Sequence, residues 1–160
     1  MQEAVRRVET ALSVLAREIK IVTLPEDVPT AAAAAALVGC PVGAVANSLI
    51  FTGDRGPVLI VSSGANRVDL RKAAAELGVA KLRRADPEVV LAATGQPVGG
   101  VAPIGHPAPL PTLIDAALAG YPELWAGGGA RHTLFATTFT ELVQLTGGTP
   151  ADVRKQPAQQ

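Results

Sequence analysis

A segment rich in glycine and proline runs from Thr94 to His106, with the sequence TGQPVGGVAPIGH. Its conformation depends on four glycines and two prolines, Gly95, Gly99, Gly100, Gly105, Pro97 and Pro103. Glycine permits close backbone approach to a ligand and proline fixes φ, so the remaining amides can be aimed at a carbonyl or an oxyanion. The segment has neither the Lys-Ser or Lys-Thr of a Walker loop nor a Gly-x-Gly-x-x-Gly fingerprint. A structural turn is the alternative interpretation.

Side chains that perform acid, base or nucleophilic chemistry are sparse. The two histidines, His106 and His132, lie in no recognisable nucleophile motif with serine or cysteine. Cys40 is the single cysteine, and the scattered aspartates form no paired metal-binding run. We therefore expect no metal and no cofactor. The chemistry that remains works by orientation and oxyanion stabilisation.

Three polar residues are candidates for the walls of a site. In a predicted strand over 44–52, Asn47 shares a face with three apolar residues, Val45, Leu49 and Phe51. A carboxamide there needs a ligand or a backbone partner, because an unsatisfied buried polar group costs roughly 1–3 kcal/mol. His106 lies in the glycine-proline segment, where substrate contact and simple surface exposure are both open. Asp115 follows a predicted strand, where its carboxylate can orient the loop by accepting backbone amides.

The composition is that of one globular domain. The 160 residues are 48% hydrophobic and 18% charged, and their formal net charge is +0. A net charge of zero is unfavourable for binding long stretches of nucleic acid, although binding of a short acceptor end of a nucleic acid needs only a local basic patch. The one basic cluster, which is otherwise a solvated surface, comprises Arg67, Arg71, Lys72, Lys81, Arg83 and Arg84. No apolar run approaches the ~20 residues that span a bilayer, so we expect no membrane partner and a cytoplasmic protein.

Short strands interleaved with short helices are predicted along the chain. Cap residues and terminating glycines predict helices over 31–36, 69–77, 86–93 and 138–145, and apolar periodicity predicts an N-terminal helix over 5–19. Apolar segments predict strands over 20–24, 44–52, 57–62, 79–83, 112–115, 124–126 and 133–136. The fold class is therefore mixed α/β (α+β), a single domain over 1–148 around a curved mixed sheet. Residues 149–160 are polar and are expected to form a disordered tail.

Several short motifs occur in a characteristic order: Pro29-Thr30, Val45-Ala46-Asn47-Ser48-Leu49-Ile50-Phe51, Thr94-Gly95, Gly99 to His106, Ile114-Asp115 and Gly127-Gly128-Gly129. On these residues the chain resembles the YbaK/prolyl-tRNA synthetase-associated domain family, the free-standing relatives of the synthetase editing insertion. The resemblance runs from about residue 30 to about residue 146 and is most specific in the Gly-x-x-x-Pro loop. The family pattern usually has lysine at the position of Asn47.

The resemblance implies a partly open barrel surrounded by helices, and an aminoacyl-tRNA editing activity. The expected reaction is trans-editing: hydrolysis of the ester between a small, wrongly attached amino acid and tRNA, commonly tRNA for proline. The implied catalytic residues are Asn47, Gly99 and Gly100, and the implied substrate-binding residues are Val101, Ala102, Pro103, His106, Thr30 and Asp115. The implied partners are the aminoacyl-tRNA acceptor end and prolyl-tRNA synthetase.

Two alternatives stay open. Because Asn47 replaces the usual lysine, the same fold could bind aminoacyl-tRNA or a synthetase without hydrolysis. A hydrolase or binder of a small aminoacyl-like metabolite is the third interpretation.

Overall fold

The structure of the protein, a computed structural model, describes residues 2–156. The helices within this range are α1 (Gln2–Leu12), α2 (Ala31–Val38), α3 (Leu70–Leu77), α4 (Pro87–Thr94) and α5 (Phe139–Thr146). The strands are β1 (Val22–Thr23), β2 (Val45–Gly53), β3 (Gly56–Ser63), β4 (Arg83–Arg84), β5 (Thr112–Asp115), β6 (Leu124–Gly127), β7 (Thr133–Thr137) and β8 (Thr149–Ala151). None of these described helices has the length and apolar composition needed to cross a membrane.

Local capping chemistry sets the helix boundaries. The Thr30 side chain accepts a hydrogen bond from the Ala33 amide at the start of α2, and Thr138 forms a capping box with Glu141 at the start of α5. Helices α2 to α5 end at glycines in the left-handed conformation, Gly39, Gly78, Gly95 and Gly147. The four predicted helices are confirmed in position, but the predicted cap at Asp86 is wrong, because its side chain accepts no capping hydrogen bond and Pro87 alone begins α4. Helix α1 ends at Leu12, seven residues before the predicted end at residue 19.

The strands form one mixed sheet that does not close into a barrel. Its order is β1-β7-β6-β2-β3-β5-β8, and β4 also pairs with β2. The β2–β6, β3–β5 and β5–β8 pairs are parallel, and the other pairs are antiparallel. The expected mixed α/β fold class with one open, mixed sheet is therefore confirmed.

Strand β2 divides the core. Ala46 and Ile50 pack into a cluster with α1, α4 and α5, whereas Phe51 packs on the other face against α3. Val45 lies on the same face as Phe51, in a third cluster that α2 covers. The predicted period-two alternation is thus confirmed, and it places Asn47 on the α2 and α3 face.

The segment after Gly148 is ordered through its described part, so the predicted tail and the domain boundary at 148 are wrong there. Strand β8 extends the sheet beside β5, and the Val153 side chain is fully buried (0% exposed). The Asp69 amide donates to the Val153 carbonyl at 2.7 Å, and the Lys155 amide donates to the Arg67 carbonyl at 2.8 Å. The polar composition hid the alternation of buried Ala151 and Val153 with exposed neighbours. Residues 157–160 of the predicted tail lie outside the described residues.

Truncation after Gly148 is expected to lower the free energy of unfolding by about 3 kcal/mol, because β8 and the buried Val153 side chain are lost. Truncation after Gln156 is the matched control and should leave stability unchanged. Urea unfolding followed by circular dichroism measures both. Equal midpoints for the two truncated proteins would contradict the structural role of β8.

Candidate functional site

A cavity of about 220 Å³ opens at the outer edge of β2, the edge that faces away from β3. Its walls come from the start of α2, from β2, from the glycine-proline segment and from β4, β6 and β7. The lining residues are Val28, Pro29, Thr30, Ala31, Ala34, Val45, Ala46, Asn47, Ser48, Leu49, Arg84, Val98, Gly99, Val101, Gly127, Thr133 and Leu134. The sheet therefore meets the loop at this cavity.

The cavity exists because two strands share the outer edge of β2 without meeting. Strand β6 pairs with Val45 and Ala46, and β4 pairs with Phe51 and Thr52. Continuing the β4 register would bring Pro87 opposite Ser48, and proline has no N–H to donate. Helix α4 begins at that proline. A short stretch of edge around Ser48 is left open between the two partners.

The glycine-proline segment is held rigidly beside this opening. Gln96 is completely buried, and its amide bridges two points of the loop. Its Oε1 accepts from the Ala102 amide at 2.6 Å, and its Nε2 donates to the Ile104 carbonyl at 3.2 Å. At the outer end of the loop, the Arg131 guanidinium donates to the Val98 carbonyl at 3.1 Å. The loop is therefore shaped from both ends.

These bonds determine which loop amides are available to a ligand. The Gly100 amide donates to the Pro97 carbonyl at 2.9 Å, and the Ala102 amide is taken by Gln96. Among the hydrogen bonds of the described residues, neither the Gly99 nor the Val101 amide has a protein acceptor. Both residues line the cavity. Val98 lines the cavity too and its amide has no protein acceptor in the described part of the chain, so the free donors are supplied by Val98, Gly99 and Val101.

Gly100 has a different role from the one the sequence suggested. It is buried and does not line the cavity, and its φ is not positive. A Cβ atom there would lie 2.7 Å from the Ala130 carbonyl carbon and 2.8 Å from the Arg131 nitrogen. Glycine is required at this position because the loop backbone packs against the backbone of Ala130 and Arg131. Gly99, with φ 88°, is the glycine that is exposed at the cavity.

Asn47 and Thr30 are brought together with the loop. Both line the cavity that Gly99 and Val101 also line. Among the described contacts, the Asn47 carboxamide makes no hydrogen bond to another protein group, so its donor and acceptor are available. The Thr30 hydroxyl already accepts from the Ala33 amide at 3.1 Å, so it caps α2 as well.

The other predicted site residues lie outside the cavity lining. Ala102 and Pro103 are buried beneath the loop. The His106 ring lies 2.8 Å from the Ala102 carbonyl, so its Nε2 carries the proton that is donated, and burial lowers the pKa of His106. His106 instead borders a separate groove with α1. It therefore supports the loop from the side away from the cavity.

Asp115 is placed away from the cavity by its own hydrogen bonds. Its carboxylate is 1% exposed and accepts from the Ser63 amide, the Asn66 side chain and the Ala117 amide at 3.0–3.2 Å. The amides it accepts belong to β3 and to the turn after β5, not to the glycine-proline loop. The sequence-based role in orienting that loop is replaced by a structural one.

The electrostatics of the cavity are simple. Arg84 is the one ionisable side chain in the lining, and the remaining polar side chains are neutral. No group of three or more histidine, cysteine or acidic side chains within the described residues is arranged to hold a metal ion. The cavity thus presents amide and hydroxyl groups, together with one positive charge at β4.

Sequence reasoning missed Gln96, Arg131 and Ser48. Gln96 lies inside the recognised segment, but a buried glutamine is indistinguishable from a surface one until its two loop contacts are known. The contact of Arg131 with Val98 joins residues distant in sequence. The sequence did contain a signal for Ser48. Pro87 has no N–H to donate, so it marks the point at which β4 stops pairing with β2 and leaves Ser48 unpaired.

Comparisons with known proteins agree with this geometry. The family model described as "Aminoacyl-tRNA editing domain" matches residues 25–145. A solved structure of a candidate trans-editing enzyme for prolyl-tRNA synthetase is 45% identical, with a TM-score of 0.89 over 96% of this chain and 98% of that one. YwhH of Bacillus subtilis is 28% identical over 89% of this chain and 91% of its own length. EbsC of Enterococcus faecalis, a candidate Cys-tRNA(Pro)/Cys-tRNA(Cys) deacylase, is 28% identical over 80% of this chain and 79% of its own.

The family match covers most of the chain and includes α2, the open edge of β2, the glycine-proline loop and Gly127. These are the elements that build the cavity. The solved relative shares the fold over nearly the full length of both chains. The chain therefore belongs to the aminoacyl-tRNA editing domain family.

Proposed function

We propose that this protein is a trans-editing deacylase, which hydrolyses the ester between a small amino acid and the 3′ end of a tRNA. The expected carrier is tRNA for proline, because the related solved structure is described as a candidate trans-editing enzyme for prolyl-tRNA synthetase. The substrate enters the cavity by its acceptor end, with the amino acid foremost. We place the reaction in the cytoplasm, where aminoacyl-tRNA is used.

The observation that carries this proposal is the presence of free amides at Gly99 and Val101 on a cavity whose lining has no carboxylate, histidine or cysteine. An aminoacyl ester is already activated, so orientation and oxyanion stabilisation suffice for its hydrolysis. A less reactive amide or phosphodiester would require a strong nucleophile or a metal. A lining without a general base or a nucleophile matches the ester.

The proposed chemistry is attack of water on the ester carbonyl carbon. The carbonyl oxygen becomes an oxyanion, to which the Gly99 and Val101 amides donate hydrogen bonds. Collapse of the tetrahedral intermediate breaks the bond to the ribose oxygen, which leaves with a proton, and the free amino acid is released. The vicinal ribose hydroxyl positions the water, and Asn47 offers a donor and an acceptor beside it.

The cavity size and walls favour a small side chain. Apolar atoms of Val28, Ala31, Ala34, Val45 and Leu134 narrow the space of about 220 Å³. A bulky side chain would have to displace α2 or β7, which pack against each other in the same core cluster.

A binding module without hydrolysis is the second candidate, and the specific observation in its favour is Asn47. Lysine at this position would supply a charge, whereas asparagine supplies only neutral groups. The two candidates predict different outcomes in one assay.

Deacylation of a panel of mischarged tRNAs tests the function. We expect turnover of small aminoacyl esters on tRNA for proline, with correctly charged prolyl-tRNA spared. Asn47→Ala should lower kcat/KM about tenfold, because one hydrogen bond to the reacting group is lost. Binding of tRNA without hydrolysis of any ester, with turnover restored in Asn47→Lys, would establish the binding module instead. Absence of both binding and turnover in the two proteins would favour a small metabolite.

Arg84 should contact a phosphate of the acceptor end. Arg84→Gln is expected to weaken tRNA binding and to reduce the slope of log Kd against log salt by roughly 0.7–0.9, the contribution of one phosphate contact. Arg83→Gln is the matched control, because Arg83 precedes Arg84 in β4 and does not line the cavity. Identical salt slopes for the two variants would contradict this role.

Gln96 should affect kcat/KM indirectly, because its side chain holds the glycine-proline loop in place. Gln96→Leu leaves the Ala102 amide and the Ile104 carbonyl without their bonds, which should cost roughly 2–4 kcal/mol of stability and lower kcat/KM about a hundredfold. Leu113→Ala, in the core cluster beside α3, is a control of similar cost, roughly 2–5 kcal/mol. Thermal unfolding and initial rates separate the two effects. Equal activities for the two variants would refute the positioning role.

A further inference from the structure

Ser48 is the residue at the centre of the opening in β2. The Gly64 amide donates to the Val45 carbonyl at 2.8 Å, so Val45, Asn47 and Leu49 direct their backbone groups toward β3. Ser48 therefore directs its N–H and C=O toward the outer edge, as Ile50 does when its carbonyl accepts from the Ala85 amide at 3.2 Å.

All three polar groups of Ser48 lack protein partners in the described part of the chain. Its outer-edge N–H and C=O take part in neither the β6 nor the β4 pairing. Its Oγ is the one buried side-chain polar atom there without a hydrogen bond. Buried polar groups in folded proteins are satisfied with few exceptions, so a buried hydroxyl without a partner, beside an unpaired stretch of strand edge at a cavity, requires an explanation.

The open edge has the hydrogen-bonding pattern of half a β-bridge. One residue presents a donor and an acceptor on the same side, and its natural complement is another α-amino acid unit, which carries an amine donor and a carbonyl acceptor on one carbon atom. An aminoacyl ester is such a unit. An acyl group without the amine fills only half of the pattern.

We propose that Ser48 anchors the amino acid of the substrate through its main chain, as a one-residue β-bridge. The Ser48 carbonyl accepts a hydrogen bond from the α-ammonium group. The Ser48 amide donates to the ester carbonyl, beside the loop amides of Gly99 and Val101. This subsite rests on the proposed function, and it makes the free α-amine a requirement for recognition.

The arrangement also suits the charge of the ligand. No carboxylate lines the cavity, so the ammonium group meets neutral oxygens rather than an anion. Hydrogen bonds to a charged group are stronger than neutral ones, which compensates for the missing ion pair. The positive charge of Arg84 lies at β4, where the ribose phosphate end of the substrate enters.

Binding of two non-hydrolysable probes tests the subsite: the 3′-amide analogues of alanyl-adenosine and of propionyl-adenosine, which differ only by the amine. Calorimetry should show the alanyl analogue binding wild type about ten- to a hundredfold more tightly. Ser48→Ala removes only the buried Oγ and keeps both main-chain groups, so it should leave that ratio unchanged. Loss of the ratio in this variant would contradict the main-chain assignment.

Ser48→Pro tests the amide separately. The Ser48 N–H faces the open edge, so proline removes no ladder bond, and turnover of alanyl-tRNA should fall about tenfold or more. If Ser48→Pro does not fold, the ratio of the affinities of wild-type protein for the two analogues still tests the subsite. Equal affinities for the two probes, with deacylation intact, would overturn the subsite and leave the proposed function standing. If neither probe binds and no ester is hydrolysed, the subsite and the proposed function are both overturned.

Discussion

The outer edge of β2 is the constraint on which the rest of the site depends. A strand interior normally pairs on both edges, yet here β6 occupies one end of the edge and β4 the other. Pro87 makes it impossible for the β4 side to continue, because a helix starts there and no amide is available. The cavity is the space that remains along this edge between β6 and β4. Its position is set by main-chain pairing, and the lining side chains only refine its shape.

The glycine-proline loop is adapted to that opening. The amides of Gly100 and Ala102 hold the loop, through one tight turn and one buried glutamine, and those of Gly99 and Val101 are left free. Fixed donors lose little freedom on binding, which is what electrostatic preorganisation requires. The close packing of Gly100 against Ala130 and Arg131 transmits the position of the β6–β7 connection to the loop. The loop is therefore anchored directly to the sheet through backbone packing.

Local signals in the sequence predicted local structure well. Thr30, Thr138 and the glycines after each helix specify capped helices through contacts a few residues apart. Two elements were harder to predict for the same physical reason. Strand β8 depends on pairing with β5, and the arrest of α1 at Leu12 depends on tertiary packing, so neither is encoded nearby. Period-two alternation correctly separated Asn47 from Ala46 and Ile50.

The sequence indicated which segments meet at the cavity, but not the contacts that each residue makes there. Resemblance and glycine spacing pointed to Gly99, Val101 and Asn47, which share one cavity. They could not distinguish Gly99 from Gly100, because the difference lies in which backbone each one touches. The partner of Asp115 was also not predictable. A carboxylate at a strand end has several possible partners, and only the fold shows that the Ser63 amide of β3 donates to it.

The donors of the proposed site at Gly99 and Val101 are main-chain amides, and this has a consequence for how such a site can change over time. A side-chain substitution cannot delete a backbone amide unless it introduces proline, so drift in the lining alters fit and charge while the central donors persist. Sites of this kind can acquire new substrate preferences through neighbouring positions such as Asn47 without first losing their chemistry. Residue-by-residue comparison of relatives will understate how much of such a site they share.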